Sequence, residues 1–468
     1  MKNLLIVTFC LIFSQISQTQ NVQTVCINGE KNVPLTGHFF EASPLSLPLN
    51  SGITPERAFS LKHLYLSADY KTKAHPVFQL PLRLKEGANP SNRFVITGFV
   101  DHNPGYPGLL NDYNCGLITY DTEGGYNHTG TDFFIWPYPW RSMNNDLVEV
   151  VAAAPGTILI KDDGNFDQNC DGSDLPYNGI CILHADGSVA WYIHLKKNSL
   201  TTMSVGDNVA IGDYLGVVGS SGISLSPHLH FEVYDADENL VDPFAGPCNL
   251  TTADSWWQNQ IPYLNSSINR LSVHNHLPAF PSCPQPEVTH EQDEFYPGDT
   301  CYFISWFRNI FPGDTVEYKL VRPDQSVFSN WLWIAPDTFY TASWNYFYFP
   351  FNQNMTGQWT IKAIYKEETY QNSFEFKSQQ SVEINKGLLP VNISPNPFQS
   401  ELVIRPEVSG NLSYSVFDQR GVVVIHGSRN GYNKESITVS TESLKPGLYF
   451  IQIELNDKTG VEKLVKLD

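Results

Sequence analysis

Along most of this chain apolar and polar residues alternate in short runs, and Gly, Pro, Asn and Asp punctuate them. Side chains change face at every residue of a strand, so a period of two predicts β-structure. Between residues 95 and 248 the runs are Phe94-Val-Ile-Thr-Gly-Phe-Val100, Gly156-Thr-Ile-Leu-Ile160, Gly179-Ile-Cys-Ile-Leu183, Ser188-Val-Ala-Trp-Tyr-Ile193, Tyr214-Leu-Gly-Val-Val218 and His228 to Tyr234. Turns such as Ala185-Asp-Gly187 separate them at hairpin-like intervals, which predicts an antiparallel sheet domain. From 285 to 385 the alternation becomes aromatic-rich, as in Cys301-Tyr-Phe-Ile-Ser-Trp-Phe307 and Ser343-Trp-Asn-Tyr-Phe-Tyr-Phe349, and predicts an immunoglobulin-like β-sandwich whose rings are mainly core. Residues 386–468 repeat the pattern in miniature and predict a small C-terminal β-sandwich. One helix is expected near Thr54 to Ser67, with Pro55 in its first turn, inside a segment 21–94 that otherwise reads as an accessory or pro-segment. Residues 249–284 read as a connector, and the fold class expected is mostly β.

Composition sharpens this picture. Aromatic residues make up 13% of the chain, and 31 Pro and 32 Gly stand against only 16% charged residues, a balance that favours strands and turns over helices. At 468 residues one core no longer suffices, so several domains are expected. A net charge of −19 repels phosphate backbones and anionic lipid, which excludes nucleic acid as a partner. Residues 1–20 combine Lys2, a short apolar run and a polar tail in the pattern of a cleavable signal peptide, too short for a membrane span, so no integral membrane segment is expected after its removal. Beyond Cys10 in that signal lie Cys26, Cys115, Cys170, Cys181, Cys248, Cys283 and Cys301, which in an exported chain predict disulfides. A Cys170–Cys181 bridge is expected, clamping the loop between two predicted strands.

The candidate chemistry is concentrated in three clusters. In Ser226-Pro-His228-Leu-His230-Phe-Glu232 the two histidines sit at i and i+2 of a strand and face the same way. Upstream are His128-Thr-Gly-Thr-Asp132 and Tyr192-Ile-His194-Leu195. A catalytic zinc needs three protein ligands and an open position, and His128, Asp132 and His230 supply that set. His194 and His228 then remain for proton handling and oxyanion stabilisation. Glu232, on the same face, either orients an imidazole or is an exposed strand residue. Two histidines and a carboxylate also describe non-haem iron enzymes, although such a site has no use for His194 or the second histidine of the pair. The Asp/Asn-rich segment 162–174 is a weaker candidate, for Ca2+, since it lacks the terminal Glu of an EF-hand loop and equally suits a solvated hairpin.

Residues 128–132, 192–195 and Gly219-Ser-Ser-Gly-Ile-Ser-Leu-Ser-Pro-His-Leu-His-Phe-Glu-Val233 resemble the lysostaphin-type (LytM-like) zinc metalloendopeptidases, over about residues 95–248. The resemblance implies a secreted peptidase with a small antiparallel β fold and a groove over the metal. His128, Asp132 and His230 would bind Zn2+, and His194 and His228 would assist catalysis. Its substrates would be peptidoglycan cross-bridges or stem peptides, or Gly-rich proteins. The segment 162–174 with its flanking cysteines departs from that family as an elaboration near the groove. The rival is a surface adhesin or cell-wall-binding protein whose middle sandwich does the work.

Ser394-Pro-Asn-Pro-Phe398, Val416-Phe-Asp-Gln-Arg-Gly421 and Leu444-Lys-Pro-Gly-Leu-Tyr-Phe450 resemble the C-terminal sorting domain of the type IX secretion system. That resemblance implies type IX machinery as a partner, a location outside the cell or on the outer surface of a Gram-negative bacterium, and removal of the sorting domain. The mature extracellular protein is therefore expected to lack residues beyond about 390, which an intact-mass measurement checks. A secreted form that keeps Leu467 and Asp468 contradicts it.

Overall fold

The structure, a computed structural model, describes residues 24–26, 35–41, 55–88, 93–351, 356–378, 391–419, 421–456 and 458–467. The expected signal peptide lies outside the described residues. The fold is almost entirely β and divides into two units, residues 1–378 and 379–468.

The first unit contains the predicted antiparallel sheet. Its strands run in the order Asn208–Val209, Gly156–Asp162, Gly179–Leu183, Val189–Ile193, His228–Tyr234, Thr131–Trp136 and Arg93–Gly98, and Leu240–Val241 adds to His228–Tyr234. All these pairings are antiparallel. A three-stranded sheet, Tyr214–Val217, Val148–Val151 and Leu82–Leu84, accompanies it, and residues from both share one core. Phe133, Leu229, Phe231 and Val233 from the large sheet meet Val148, Val150 and Leu215 from the small one, with Phe78 and Trp257 joining them. The expected helix is present over Pro55–Lys62 and ends before Ser67; it buries Ala58 against Cys181, Leu183 and Trp191.

The aromatic-rich stretch forms the second part of this unit, a two-sheet sandwich. One sheet orders Thr24–Cys26, Val327–Ile334, Thr315–Val321, Gly357–Tyr365, Glu368–Phe376 and Glu294–Phe295; the other orders Ser267–His274, Thr300–Ile310, Tyr340–Pro350 and Leu35–Glu41. Two strands from the N-terminal segment thus pair into the sandwich, at Val327–Ile334 and Tyr340–Pro350. Most of the rings are core, as alternation on a sandwich requires: Trp331, Trp333, Trp359, Phe303 and Phe347 are sealed between the sheets.

The large antiparallel sheet and the sandwich meet through aromatic rings. Val95, Phe134, Trp136 and Tyr138 pack against Ile304, Trp306, Ala342 and Trp344. The rings of Trp136 and Trp306 lie 5.4 Å apart edge to face, and Trp306 stacks on Trp344 at 5.2 Å. Two of the indoles at this joint have acceptors for their N–H groups: Trp136 Nε1 donates to the Phe307 carbonyl at 3.0 Å and Trp306 Nε1 to Ser272 Oγ at 3.0 Å.

Disulfides add covalent ties. Cys115 pairs with Cys248 and Cys170 with Cys283, with Cα–Cα distances of 5.1 and 6.2 Å. The expected Cys170–Cys181 bridge is absent. Strand alternation turns Cys181 into the core under helix Pro55–Lys62, where its thiol is free and burial pushes its pKa well up. Cys170, on the loop, instead reaches Cys283, in the connection between the sandwich strands Ser267–His274 and Glu294–Phe295.

The second unit holds a three-stranded sheet, Val391–Ser394, Glu401–Pro406 and Ile437–Ser440, and a four-stranded sheet, Val423–Tyr432, Gly410–Phe417, Gly447–Leu455 and Lys458–Lys466. Phe398, Leu402, Val416, Ile451 and Leu464 are among its core residues. Phe398, from the Ser-Pro-Asn-Pro-Phe motif, is anchored by its N–H on the Val465 carbonyl at 2.9 Å.

Trp306 is fully buried where the two halves of the first unit meet. Trp306→Ala is expected to remove about 3–5 kcal/mol of stability, the usual range for deleting a core indole. Denaturant unfolding followed by fluorescence measures it; a loss under about 1 kcal/mol, the usual scale of a well-tolerated substitution, contradicts the joint.

Candidate metal centre and catalytic site

The site is built on the pairing of Thr131–Trp136 with His228–Tyr234. Asp132 lies directly opposite His230 and Phe134 opposite His228. Cross-strand partners share a face, so Asp132, His228 and His230 point to one side of the sheet while Phe133, Leu229 and Phe231 point into the core. On its other edge His230 pairs with Ile193, which brings His194, one residue beyond strand Val189–Ile193, beside it. His194 turns out of the strand with φ of 66°. That left-handed conformation is uncommon for histidine, and it is held by the Leu195 N–H on the Asn178 carbonyl at 3.0 Å and by the ring's own bond to Ser221.

His128 stands just ahead of the strand. Its N–H bonds the Tyr120 carbonyl at 3.0 Å, and its carbonyl accepts from Asp101 N–H at 2.8 Å. The ring stacks on Tyr120 at 4.2 Å. His128 Nδ1 donates to the Phe99 carbonyl at 2.7 Å, leaving Nε2 to face inward. There it lies 3.2 Å from His230 Nδ1 and 3.2 Å from Asp132 Oδ2, while His230 Nδ1 is 2.8 Å from Asp132 Oδ1. One donor atom from each of His128, Asp132 and His230 thus falls within 4.8 Å of the others, all three residues buried.

This donor set fits a metal ion. The remaining nitrogen of each imidazole already has an acceptor, the Phe99 carbonyl for His128 and the Glu232 carboxylate for His230 at 2.9 Å, so the facing nitrogens are the ones left for a cation. Close approach is permitted by two glycines. A Cβ on Gly130 would sit 2.5 Å from His230 Nε2 and 2.8 Å from the Phe231 carbonyl, and one on Gly98 would sit 2.8 Å from His128 Cε1.

Electrostatics follow from burial. Burial alone would raise the Asp132 carboxyl, but the imidazoles of His128, His228 and His230 around it hold it well below the usual carboxylate range. Burial would likewise lower His230, yet the Asp132 and Glu232 carboxylates on its two nitrogens carry it up to about 9. His194 and His228 behave differently: burial, reinforced for His194 by the neighbouring His228 and His230, pushes both down and keeps them neutral. His194 Nδ1 donates to the Ser221 carbonyl at 2.6 Å and His228 Nδ1 to the Ser226 carbonyl at 2.8 Å. A neutral ring that donates through Nδ1 keeps a lone pair on Nε2. The two rings are 4.5 Å apart, His194 is 5.9 Å from the His230 ring, and His228 Nε2 is 3.7 Å from Asp132 Oδ1.

All five residues singled out in the sequence therefore meet in one place. What sequence could not reveal is the set of backbone carbonyls that fix the rings, since Phe99, Ser221 and Ser226 act through atoms every residue has. Tyr120 was also missed; no spacing signal links it to His128. Glu232 is buried, at 1% exposure, and bonds His230, which removes the alternative of an exposed strand residue.

The calcium expectation at 162–174 finds no support. Four of its acidic groups already have protein partners: Asp163 accepts from Gly164 and Asn198 N–H, Asp167 from Lys197 N–H, Asp171 from Ser173 N–H, and Asp162 pairs with Arg57 at 2.6 Å. Among the described residues the cluster suited to a metal ion is His128, Asp132 and His230. The segment instead braces the loop ahead of His228, with Asn169 Nδ2 donating to the Gly222 carbonyl at 2.6 Å and Ser220 Oγ to the Asn169 carbonyl at 2.6 Å.

Residues 127–243 match the model of Peptidase family M23, and residues 392–467 that of the Secretion system C-terminal sorting domain. The chain thus carries an M23 peptidase domain of the LytM/lysostaphin type and a type IX sorting domain. It is 33% identical over 121 residues to the glycyl-glycine endopeptidase ALE-1 of Staphylococcus capitis, covering 26% of this chain and 28% of that protein. It is 30% identical over 156 residues to lysostaphin of Staphylococcus staphylolyticus, covering 33% of this chain and 25% of that protein. The match spans about a quarter of the length of these curated relatives. Among solved structures, the catalytic domain of lysostaphin from Staphylococcus simulans aligns at 25% identity over 32% of this chain and 89% of that one, with a TM-score of 0.21.

Because a Cβ at position 130 would collide with the His230 ring and with backbone, Gly130→Ala is expected to displace His230 and lower bound metal well below that of the wild type. Elemental analysis beside circular dichroism checks this; a folded variant that retains full metal content contradicts the close-approach role.

Proposed function

We propose that the M23 domain is a zinc-dependent endopeptidase acting outside the cell or on the outer surface of a Gram-negative bacterium. Its proposed substrates are peptide bonds in peptidoglycan cross-bridges or stem peptides, or in Gly-rich proteins. The observation that carries this reading is the division of labour among four histidines around one carboxylate. His128 and His230 present nitrogens to Asp132, whereas His194 and His228 stand beside that group as neutral rings with Nδ1 tied to backbone carbonyls. A zinc ion held by His128, Asp132 and His230 would supply a Lewis acid that acidifies water and polarises a carbonyl.

The chain's own residues provide the rest. His194 and His228 each keep Nε2 free to accept a proton from water and to return it to a departing amine, the two proton movements that peptide hydrolysis needs. The bonds to Ser221 and Ser226 hold both rings in place before substrate arrives, so little reorganisation is needed during reaction. The identity of the relatives supports the substrate class, since one of them is named a glycyl-glycine endopeptidase. The sorting domain supports the location.

Incubation of the full chain with purified peptidoglycan and with Gly-rich proteins, followed by mass spectrometry of the released ends, tests the activity and identifies the bond. Ligands and helpers should fail differently. His230→Ala and Asp132→Ala are expected to lose both zinc and activity, while His194→Ala and His228→Ala keep about one equivalent of zinc and slow hydrolysis by roughly 10²–10⁴-fold. Zinc lost from His228→Ala but kept by His230→Ala would reverse the assignment within the pair. Full activity in all four variants would place the chemistry elsewhere.

A further inference from the structure

Glu232 is a buried anion that the proposed hydrolysis does not use. It shares a strand and a face with His228 and His230, and 1% of its surface is exposed. Three donors surround it. His230 Nε2 lies 2.9 Å and Thr129 Oγ1 3.0 Å from Oε2, and the Tyr234 hydroxyl bonds Oε1. Both oxygens are therefore committed on the side of His230 away from Asp132, and the carboxylate is not free to swing toward the three donor atoms.

A carboxylate at this depth is costly unless it is paired, and its principal partner is the imidazole proposed above as a metal ligand. Burying an anion there has a consequence on each side of the ring. On the Nε2 side it gives the proton a strong acceptor, which fixes Nδ1 as the coordinating nitrogen and fixes the ring plane. On the Nδ1 side it adds charge balance: Asp132 compensates one of the two charges of a divalent ion, and Glu232, one imidazole away, compensates the other.

We infer that Glu232 is a positioning residue for the metal centre, which aims His230 Nδ1 at Asp132 and His128 and, with Asp132, tunes the site to retain a divalent cation. Thr129 serves the same arrangement, because its hydroxyl shares Oε2 with His230 while its backbone links the ligand His128 to Gly130. The inference rests on the metal-centre reading given above.

The test is metal affinity of the full chain, measured by competition with a chromogenic chelator using zinc and by the visible spectrum of the cobalt(II) form, beside the melting temperature of the metal-free protein. Glu232→Gln keeps a hydrogen-bond acceptor of the same shape and loses the charge, and is expected to weaken zinc binding by about tenfold; Glu232→Ala loses both, and is expected to weaken it by up to about a hundredfold with an altered cobalt spectrum. Metal-free melting temperatures within a few degrees of wild type accompany these losses. Wild-type affinity in both variants overturns the inference, as does a loss of affinity that merely tracks a fall in the metal-free melting temperature. A wild-type chain that takes up no zinc overturns the metal-centre reading itself, and this inference falls with it.

Discussion

Asp132 opposite His230 in the antiparallel ladder is the constraint on which the site depends. A slip of one residue would turn every side chain of one strand to the other face. What forbids the slip is the opposite face of the same strands. Phe133, Leu229, Phe231 and Val233 are each completely buried in the core shared by the two sheets. If strand His228–Tyr234 slipped, Leu229, Phe231 and Val233 would enter the polar side while two imidazoles entered the core. The hydrophobic effect thus sets the positions of the polar atoms, at roughly 1.5–3 kcal/mol for each large apolar side chain kept from water.

Register alone does not orient an imidazole, which still rotates about two torsions. Backbone carbonyls supply the remaining restraint, with Phe99 holding His128, Ser221 holding His194 and Ser226 holding His228. These come from the continuation of strand Arg93–Gly98 and from the loop ahead of His228, so the same short segments close the fold and fix the rings. The loop 162–178 holds the latter segment in turn, through Asn169 N–H on the Ser220 carbonyl at 3.0 Å and Asn178 N–H on Ser221 Oγ at 2.8 Å. Rigidity at the rings is therefore inherited from hydrogen bonds that run through the backbone as well as from side-chain packing.

How much of this was legible in the sequence differs from part to part. Period-two alternation exposed the strands, and the His-x-His spacing exposed the shared face, because both depend only on local geometry. The close approach that Gly130 permits was not legible, because what it approaches, the His230 ring, lies a hundred residues away. The disulfide assignment failed for the opposite reason. Cys181 looked like the near neighbour of Cys170, but its strand direction sends the thiol into the core under Pro55–Lys62, and long-range topology gives Cys170 to Cys283. Likewise Thr24–Cys26 and Leu35–Glu41 carry no signal that names their partners, which lie some three hundred residues later in the sandwich. Alternation tells a strand which face is apolar; it does not tell it whose edge to join.

The aromatic joint bears on how such a chain can be recombined. Peptidase domains are often pictured as beads exchanged between carriers by cutting at linkers. Here the cut surface would carry Val95, Phe134, Trp136 and Tyr138, and an indole N–H whose acceptor, the Phe307 carbonyl, belongs to the other piece. Phe134 is also the cross-strand partner of His228. Replacing the sandwich by another module would mean repainting that apolar patch and re-satisfying that N–H beside the strand that carries His228 and His230. A change on the sandwich face is thereby felt one strand away from His228.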